Sequence, residues 1–237
     1  MDLGLDGRVA LVTAASRGLG RGAALALVQE GAQVAICGRD PDRLAASAAK
    51  FPGEVLAIPA DVTDPETPRR LVEATVERFG ALHVLVANAG GPPQARALEV
   101  DDDGMLAAIN ANMQTSIRLV QAAVPHMRRA RWGRICLLTS YAIKQPIPTL
   151  AYSNAARTGL WAWAKTAAQD LIEDGITLNL ACPGPHATDR MQELGTTGRM
   201  GDPEDFGRIV AFLCSEQAGF VSGTALAVDG AATLGLL

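Results

Sequence analysis

Short apolar runs alternate with longer helical patterns along the whole chain, and this alternation limits the possible folds more than any other feature. Seven runs are short and almost continuously apolar, which is typical of buried parallel strands. These predicted strands are 9–12, 34–37, 55–58, 84–87, 135–138, 176–180 and 225–228. The predicted helices between them are 18–30, 41–50, 65–79, 101–129, 153–174 and 203–214. Since repeated βα units make right-handed crossovers, we predict one α/β domain over 1–237, a doubly wound parallel sheet with helices on both faces.

Composition narrows the class of protein further. A chain of 237 residues is long enough for one domain with a full core. With 49% hydrophobic but only 4% aromatic residues, that core must be built from Ala, Leu and Val. The net charge of −4 argues against a nucleic-acid or anionic-membrane partner. No apolar run approaches the roughly 20 residues of a membrane span, and residues 1–7 lack a signal-peptide pattern. We therefore expect a cytoplasmic protein.

The cysteines are widely spaced and form no CxxC pair. Each lies in or beside an apolar stretch, so we expect buried free thiols in a reducing compartment. The three histidines do not cluster with them, and no metal site is predicted. The residues concerned are Cys37, Cys136, Cys182, Cys214, His83, His126 and His186.

A glycine-containing turn joins the first strand to the first helix. Such a turn lets the backbone approach a pyrophosphate, while the helix N-terminus supplies N–H groups and a positive dipole. Its position in the chain therefore predicts a dinucleotide site. The candidate binding residues are Thr13, Ala15, Ser16, Arg17, Gly18, Leu19 and Gly20.

This turn resembles the T-G-x-x-x-G-x-G motif of short-chain dehydrogenases/reductases, with Ala14 at the first glycine. Further matches follow in the family's order over nearly the whole chain, and the chain is most similar to 3-oxoacyl-acyl-carrier-protein reductases. The resemblance implies a Rossmann fold, a nicotinamide cofactor and a carbonyl/alcohol substrate, either a small molecule or acyl-carrier-linked. It also implies adenine contacts from Asp61-Val62, cofactor contacts from Asn88-Ala89-Gly90, and a nicotinamide-side segment at Pro183-Gly184 and Thr188.

The end of the second strand indicates the choice of cofactor. NAD enzymes usually place a carboxylate there for the ribose 2′-OH. This chain has Arg39 at that position, and Arg17 lies in the glycine turn, although Asp40 follows directly. Two arginines favour a 2′-phosphate, so we expect NADP(H) rather than NAD(H).

The catalytic positions depart from the family's pattern. There, a serine is followed thirteen residues later by the catalytic tyrosine, and four further on by a lysine. Counting from Ser140 gives Ser153 and Arg157. The resemblance implies that Ser140 polarises the carbonyl and that Asn112 supports a water relay. An aliphatic hydroxyl is a weak acid. Arg157 keeps a charge and donors for the ribose but cannot relay a proton.

Four residues could replace the missing acid. Tyr152 is adjacent to the expected position but is turned by about 100° on the helix. Tyr141 follows Ser140 directly, and Lys144 lies in the next loop. His186 lies two residues past Gly184 and has the best-matched ordinary pKa. We favour Tyr141 or His186.

Two further features concern the substrate and self-association. The expected lid near 188–199 is short and can hold at most a short helix, which predicts an open cleft. The resemblance also implies a homodimer or homotetramer formed through helices 101–129 and 153–174. The second helix carries Trp161 and Trp163 among small residues.

Three functions remain open from the sequence. The first is an unusual NADP(H)-dependent oxidoreductase acting on a carbonyl/alcohol pair. The second is a nucleotide-binding sensor, scaffold or partner subunit without redox turnover. The third is a non-redox isomerase or lyase that uses the same cleft. We favour the first because the cofactor motifs are largely intact.

Overall fold

The computed structural model describes residues 2–236, which contain a seven-stranded, fully parallel sheet. The strand order is β3-β2-β1-β4-β5-β6-β7. The predicted doubly wound sheet is confirmed. The strands are β1 (Val9–Val12), β2 (Gln33–Gly38), β3 (Val55–Pro59), β4 (Val84–Ala87), β5 (Gly133–Leu138), β6 (Ile176–Pro183) and β7 (Ala225–Val228).

Helices connect the strands and cover both faces of the sheet. The stretch predicted as one helix over 101–129 is interrupted by a π-helical turn, Asn110–Gln114, which joins two α-helices. The helices are α1 (Gly18–Gln29), α2 (Pro41–Ala48), α3 (Thr67–Phe79), α4 (Asp102–Ile109), α5 (Thr115–Ala130), α6 (Ala151–Leu171), α7 (Asp189–Glu193) and α8 (Pro203–Leu213).

Several helices begin at aspartates that cap their first turn. The Asp40 carboxylate accepts from the Arg43 N–H at 3.0 Å, and Asp101 accepts from the Gly104 N–H at 2.6 Å. Asp202 accepts from the Glu204 N–H at 2.8 Å, with proline at the next position. A side-chain oxygen at this position satisfies an N–H that has no partner within the helix. These local signals explain why the helix starts could be read from the sequence.

The core consists of two apolar layers, one on each side of the sheet. Leu11 of β1 packs in the layer that contains α3, α5 and α6, whereas Ala10 and Val12 face the layer with α1 and α8. Successive strand residues point to opposite faces, so the central strands are buried on both sides. Helices α1 and α8 approach closely at Gly22 and Gly207, where a Cβ on Gly207 would lie 2.2 Å from the Gly22 carbonyl oxygen.

The strand order reverses at β1, which has β2 on one side and β4 on the other. Loops leaving the carboxyl ends of β1 and β4 therefore diverge, and ligands of open α/β sheets bind in the resulting crevice. The four cysteines are buried and free, as expected. Among residues 2–236, no helix has the length and apolar character needed to cross a bilayer.

Candidate active site

The glycine turn after β1 is tied to the end of β4. The Thr13 hydroxyl donates to the Asn88 carbonyl oxygen at 2.7 Å and accepts from the Asn88 N–H at 2.8 Å. The Asn88 side-chain amide also donates to the Ala14 carbonyl oxygen at 3.2 Å. These bonds fix the start of the crevice at the point where the strand order reverses.

Glycine is required at Gly20 because the turn folds back on the helix. A Cβ on Gly20 would lie 2.5 Å from the Ala14 carbonyl oxygen. Ala14 itself has a φ of +47°, a conformation that favours glycine. The turn thus keeps a glycine-like backbone although alanine occupies the position, and the N-terminus of α1 stays open toward the crevice. This geometry fits a pyrophosphate.

Positive charge lies at the end of β2, where a ribose phosphate is expected. Arg39 is exposed, and Asp61 lies near it after β3. Partial burial raises the pKa of Asp61, but hydrogen bonds from the Thr63 N–H and hydroxyl, together with the charge of Arg39, outweigh it and lower that pKa. Asp61 is therefore an ionised acceptor held at the rim, as the predicted adenine contact requires. Val62 beside it is buried in the core.

Ser140 follows β5 and has an extended backbone. Its Oγ accepts from the Ala142 N–H at 3.1 Å and so caps the short turn Tyr141–Ile143. This bond uses a lone pair of the hydroxyl and leaves its proton available to a ligand. Ser140 can therefore donate to a carbonyl oxygen placed at the carboxyl edge of the sheet.

Asn112 lies in the π-helical turn and is buried, with 2% of its surface exposed. Neither its amide nitrogen nor its carbonyl oxygen has a partner among residues 2–236. Leaving such a buried group unpaired costs about 1–3 kcal/mol. π-Helical turns are frequent at functional sites. An unpaired buried amide in this position indicates a water or ligand contact.

Arg157 is the most unusual charged group of the site. It follows Ser153 by one helical turn on α6, so both lie on the same face, and both are buried. The Nη1 group of Arg157 donates to the Leu138 carbonyl oxygen at 3.0 Å. No carboxylate of residues 2–236 forms an ion pair with it. Burial, reinforced by the charge of Arg190 and opposed by Cys182, lowers the pKa of Arg157 to about 10.

Two of the proposed replacement acids have other roles in the structure. The Tyr152 hydroxyl accepts from the Asp101 N–H at 3.0 Å, on the side of α4, so a slipped register does not bring it to Ser140. The His186 ring lies edge-on against Phe206 of α8, with ring centroids 5.1 Å apart, and is buried. Its Nδ1 lies 3.0 Å from the Gly184 carbonyl oxygen. This packing against Phe206 does not favour His186 as the acid, and its role stays a prediction.

Tyr141 and Lys144 remain beside the cleft. Tyr141 begins the short turn after Ser140 and is half-buried. The Lys144 ammonium lies 5.4 Å from the centroid of the Trp161 ring on α6. Trp161 is one turn beyond Arg157 on the same helix, so Lys144 lies over the helix face that carries Ser153 and Arg157. Tyr141, one of the two residues favoured from the sequence, is adjacent to Ser140 and stays a candidate acid.

The lid is one short helix, α7, held on both sides of the crevice. Arg17 donates to the Asp189 carboxylate at 2.5 Å, and Arg190 donates to the Pro92 carbonyl oxygen at 2.8 Å. From the sequence, Arg17 is expected to be available for a phosphate, and neither Asp189 nor Arg190 is predicted to make these contacts. The only local signal was the one-turn spacing of Asp189 and Glu193 on the lid, which does not identify a partner 172 residues away.

The remaining predicted cofactor residues line the same edge. A Cβ on Gly184 would lie 2.6 Å from the Asp229 Cα, so the segments that follow β6 and β7 approach each other closely. A Cβ on Gly90 would meet no protein atom within 4 Å, which leaves open space there. Ala15 is buried beneath the turn, and Thr188 caps α7. Ser16, Gly18, Leu19, Ala89 and Pro183 complete the predicted set.

The sheet reversal and the glycine turn are typical of dinucleotide-binding α/β folds. Comparison with known proteins agrees. A family model described as enoyl-(acyl carrier protein) reductase matches residues 13–233. The chain belongs to the short-chain dehydrogenase/reductase family.

Individual relatives match over almost their full lengths. The chain is 34% identical to L-fucose dehydrogenase from Bos taurus over 250 residues, covering 97% of this chain and 90% of that protein. It is 30% identical to 3-oxoacyl-[acyl-carrier-protein] reductase FabG from Thermotoga maritima over 240 residues, covering 95% and 98%. The structure of L-sorbose reductase from Gluconobacter frateurii, complexed with NADPH and L-sorbose, matches with a TM-score of 0.93 and 30% identity over 100% of both chains.

Proposed function

We propose that this protein is an NADP(H)-dependent oxidoreductase that interconverts a carbonyl and an alcohol. The observation that carries the proposal is the buried Arg157 guanidinium, which pairs with no carboxylate of residues 2–236 and makes one hydrogen bond to the backbone. A buried cation is costly without a partner. A ribose and phosphate-bearing ligand at the carboxyl edge of the sheet supplies acceptors for its remaining N–H groups.

The residues of the crevice fit such a cofactor. The backbone of the glycine turn and the N-terminus of α1 receive the pyrophosphate, Asp61 and Val62 the adenine, and Arg157 the nicotinamide ribose. Asn88, Ala89 and Gly90 form the wall after β4, while Pro183, Gly184 and Thr188 flank the nicotinamide. When bound, the nicotinamide exchanges a hydride with the substrate carbon.

Arg39 is proposed to select the phosphorylated cofactor. It is exposed at the end of β2 and forms no ion pair shorter than 4.0 Å with residues 2–236, so its fork of donors is free for a phosphate. Replacing Arg39 by alanine should weaken NADPH binding about 10- to 100-fold and NADH binding less than about twofold. Fluorescence titration of both cofactors measures this. Equal losses for the two cofactors would show that Arg39 does not read the 2′-phosphate.

Different side chains of this protein are assigned different roles in the reaction. The Ser140 hydroxyl donates a hydrogen bond to the substrate carbonyl oxygen and keeps its proton, which stabilises negative charge developing there. Asn112 holds a water through its unpaired amide. Ser153 is too weak an acid to supply the proton near neutral pH. We assign that role to Tyr141, which lies next to Ser140.

Replacing Tyr141 by phenylalanine should lower kcat about 100-fold, because a positioned acid contributes about 10²–10⁴-fold. Tyr152→Phe is the matched control. It removes the acceptor of the Asp101 N–H and should cost stability but leave kcat within about twofold. Unchanged turnover in Tyr141→Phe would remove Tyr141 as the acid.

The proposed substrate is a 3-oxoacyl compound, free or carrier-linked. The short α7 supports this, since little chain covers the cleft. Oxidation of NADPH with an acetoacetyl thioester, matched against neutral ketones and ketoses, tests the class. The ketoses belong in the set because relatives named as sugar oxidoreductases match the chain. Turnover of the thioester alone supports the assignment. Turnover of a ketose alone would instead identify the substrate as a sugar.

A second function, cofactor binding without turnover, is favoured by one observation. Ser153 and Arg157 occupy the positions of the family's acid and its partner, and neither relays a proton near neutral pH. In that case NADPH binds with the same selectivity, but no carbonyl compound accelerates its oxidation. The thioester and ketose assay therefore separates the two functions.

We further propose that a second copy of the chain covers the joint surface of α5 and α6. Val124 and Pro125 of α5 and Trp163 and Ala167 of α6 line a shallow, mostly apolar groove there. Aromatic side chains beside small ones are typical of such interfaces. Sedimentation should show a dimer or tetramer, and Trp163→Glu should dissociate it. The four free thiols support a reducing compartment such as the cytoplasm.

A further inference from the structure

The Arg17 guanidinium is held by two carboxylates of the lid. Its Nη1 donates to the Asp189 carboxylate at 2.5 Å, and its Nη2 lies 3.7 Å from Glu193 Oε1. Asp189 and Glu193 lie four residues apart on α7, so both point from one face of the helix. The hydrogen bond from Arg17 is the main cause of the lowered pKa of Asp189. Arg17 therefore faces two negative charges.

This contact crosses the crevice proposed for the cofactor. Arg17 precedes α1 on one side, whereas Asp189 follows β6 on the other. The charge of Arg43 on α2 also lowers the pKa of Asp189. A Cβ on Gly38, at the end of β2, would lie 3.1 Å from the Ser16 Cβ, so the turn that carries Arg17 adjoins the region assigned to a 2′-phosphate.

We infer that Asp189 and Glu193 determine cofactor selectivity by competing with the 2′-phosphate for Arg17. This inference rests on the proposed NADP(H) function. All three side chains are about half exposed, at 47%, 60% and 52%. Exposed ion pairs are weak and screened by salt. A phosphate accepts two parallel bonds from a guanidinium and therefore displaces the carboxylates. NADH has no such group and leaves the contact between Arg17 and the lid intact.

The test is the double variant Asp189→Asn with Glu193→Gln. It frees Arg17 from both carboxylates of the lid. The Kd for NADPH should fall about three- to tenfold, and the Kd for NADH should change less than about twofold. The control is Glu73→Gln with Asp205→Asn, which removes two exposed, ion-paired carboxylates on α3 and α8. It should change neither Kd.

A variant that lacks the Arg17 guanidinium tests whether the lid carboxylates act through Arg17. In Arg17→Gln, the lid substitutions should no longer change the NADPH affinity, since the shared partner is gone. Equal tightening of NADPH and NADH, an unchanged Kd for NADPH, or the same gain in the Arg17→Gln background would each overturn the inference. These results differ from failure of the proposed function, in which the unmodified protein binds neither cofactor.

Discussion

Replacing Arg157 by methionine should make the protein more stable and weaken NADPH binding at least tenfold. The guanidinium is buried, no carboxylate of residues 2–236 pairs with it, and burial lowers its pKa to about 10. Because the folded-state pKa lies below the unfolded one, the charged form destabilises the fold fully below about pH 10, and this cost is relieved only as the pH rises above that value. The shift corresponds to about 3 kcal/mol. We therefore expect a gain of about 1–3 kcal/mol that is constant from about pH 6 to 9.

Denaturant unfolding and NADPH titration measure the two opposite effects. Arg134→Met is the matched control, since Arg134 is also buried but donates to the carbonyl oxygens of Ser215, Gly133 and Gly175. That variant should lose stability and keep its NADPH affinity. Arg157→Lys should recover most of the binding, because it restores the charge. A destabilised Arg157→Met protein with normal NADPH affinity would make Arg157 a purely structural residue.

Replacing Ser140 by alanine should lower kcat about 100-fold with little change in NADPH affinity. Removing one positioned donor at a developing negative charge costs about 10²–10³-fold. The Ser140 Oγ also accepts from the Ala142 N–H, so a small loss of stability accompanies the change. Rate and binding separate the two proposed roles, in which Ser140 contacts the substrate and Arg157 the cofactor.

Ser140→Thr distinguishes the hydroxyl from simple packing. Threonine keeps a hydroxyl that can both cap the turn and donate, and it should retain more activity than alanine. Stopped-flow measurement of NADPH oxidation avoids confusion with slow product release. Equal activity in the alanine variant and the unmodified protein would contradict polarisation of the carbonyl by Ser140.

The fold could be predicted because its signals are local. Each strand is a short apolar run, and helices begin at capping residues such as Asp40 and Asp202. The glycine turn was found for the same reason. Its order relative to β1 and α1 is visible in the sequence, and its close contact at Gly20 follows from that geometry.

Side-chain environments at the site depend on residues far apart in the chain. His186 was favoured for its ordinary pKa, but its ring packs against Phe206, twenty positions later, which the local sequence does not indicate. The sequence predicts that Arg17 is available to bind a phosphate, but in the structure Arg17 donates to Asp189 of the lid. The sequence also did not indicate the π-helical turn that leaves Asn112 unpaired. Tertiary packing decides these features.

The most direct test of the account is a fluorescence titration of the unmodified protein with NADPH and, separately, with NADH. We expect saturable NADPH binding in the micromolar range and NADH binding that is weaker by about tenfold or more, because Arg39 and Arg17 are proposed to bind the 2′-phosphate. Binding of neither cofactor would contradict it. The crevice, with Ala14 in its turn and Ser153 and Arg157 on α6, would then serve a non-redox function.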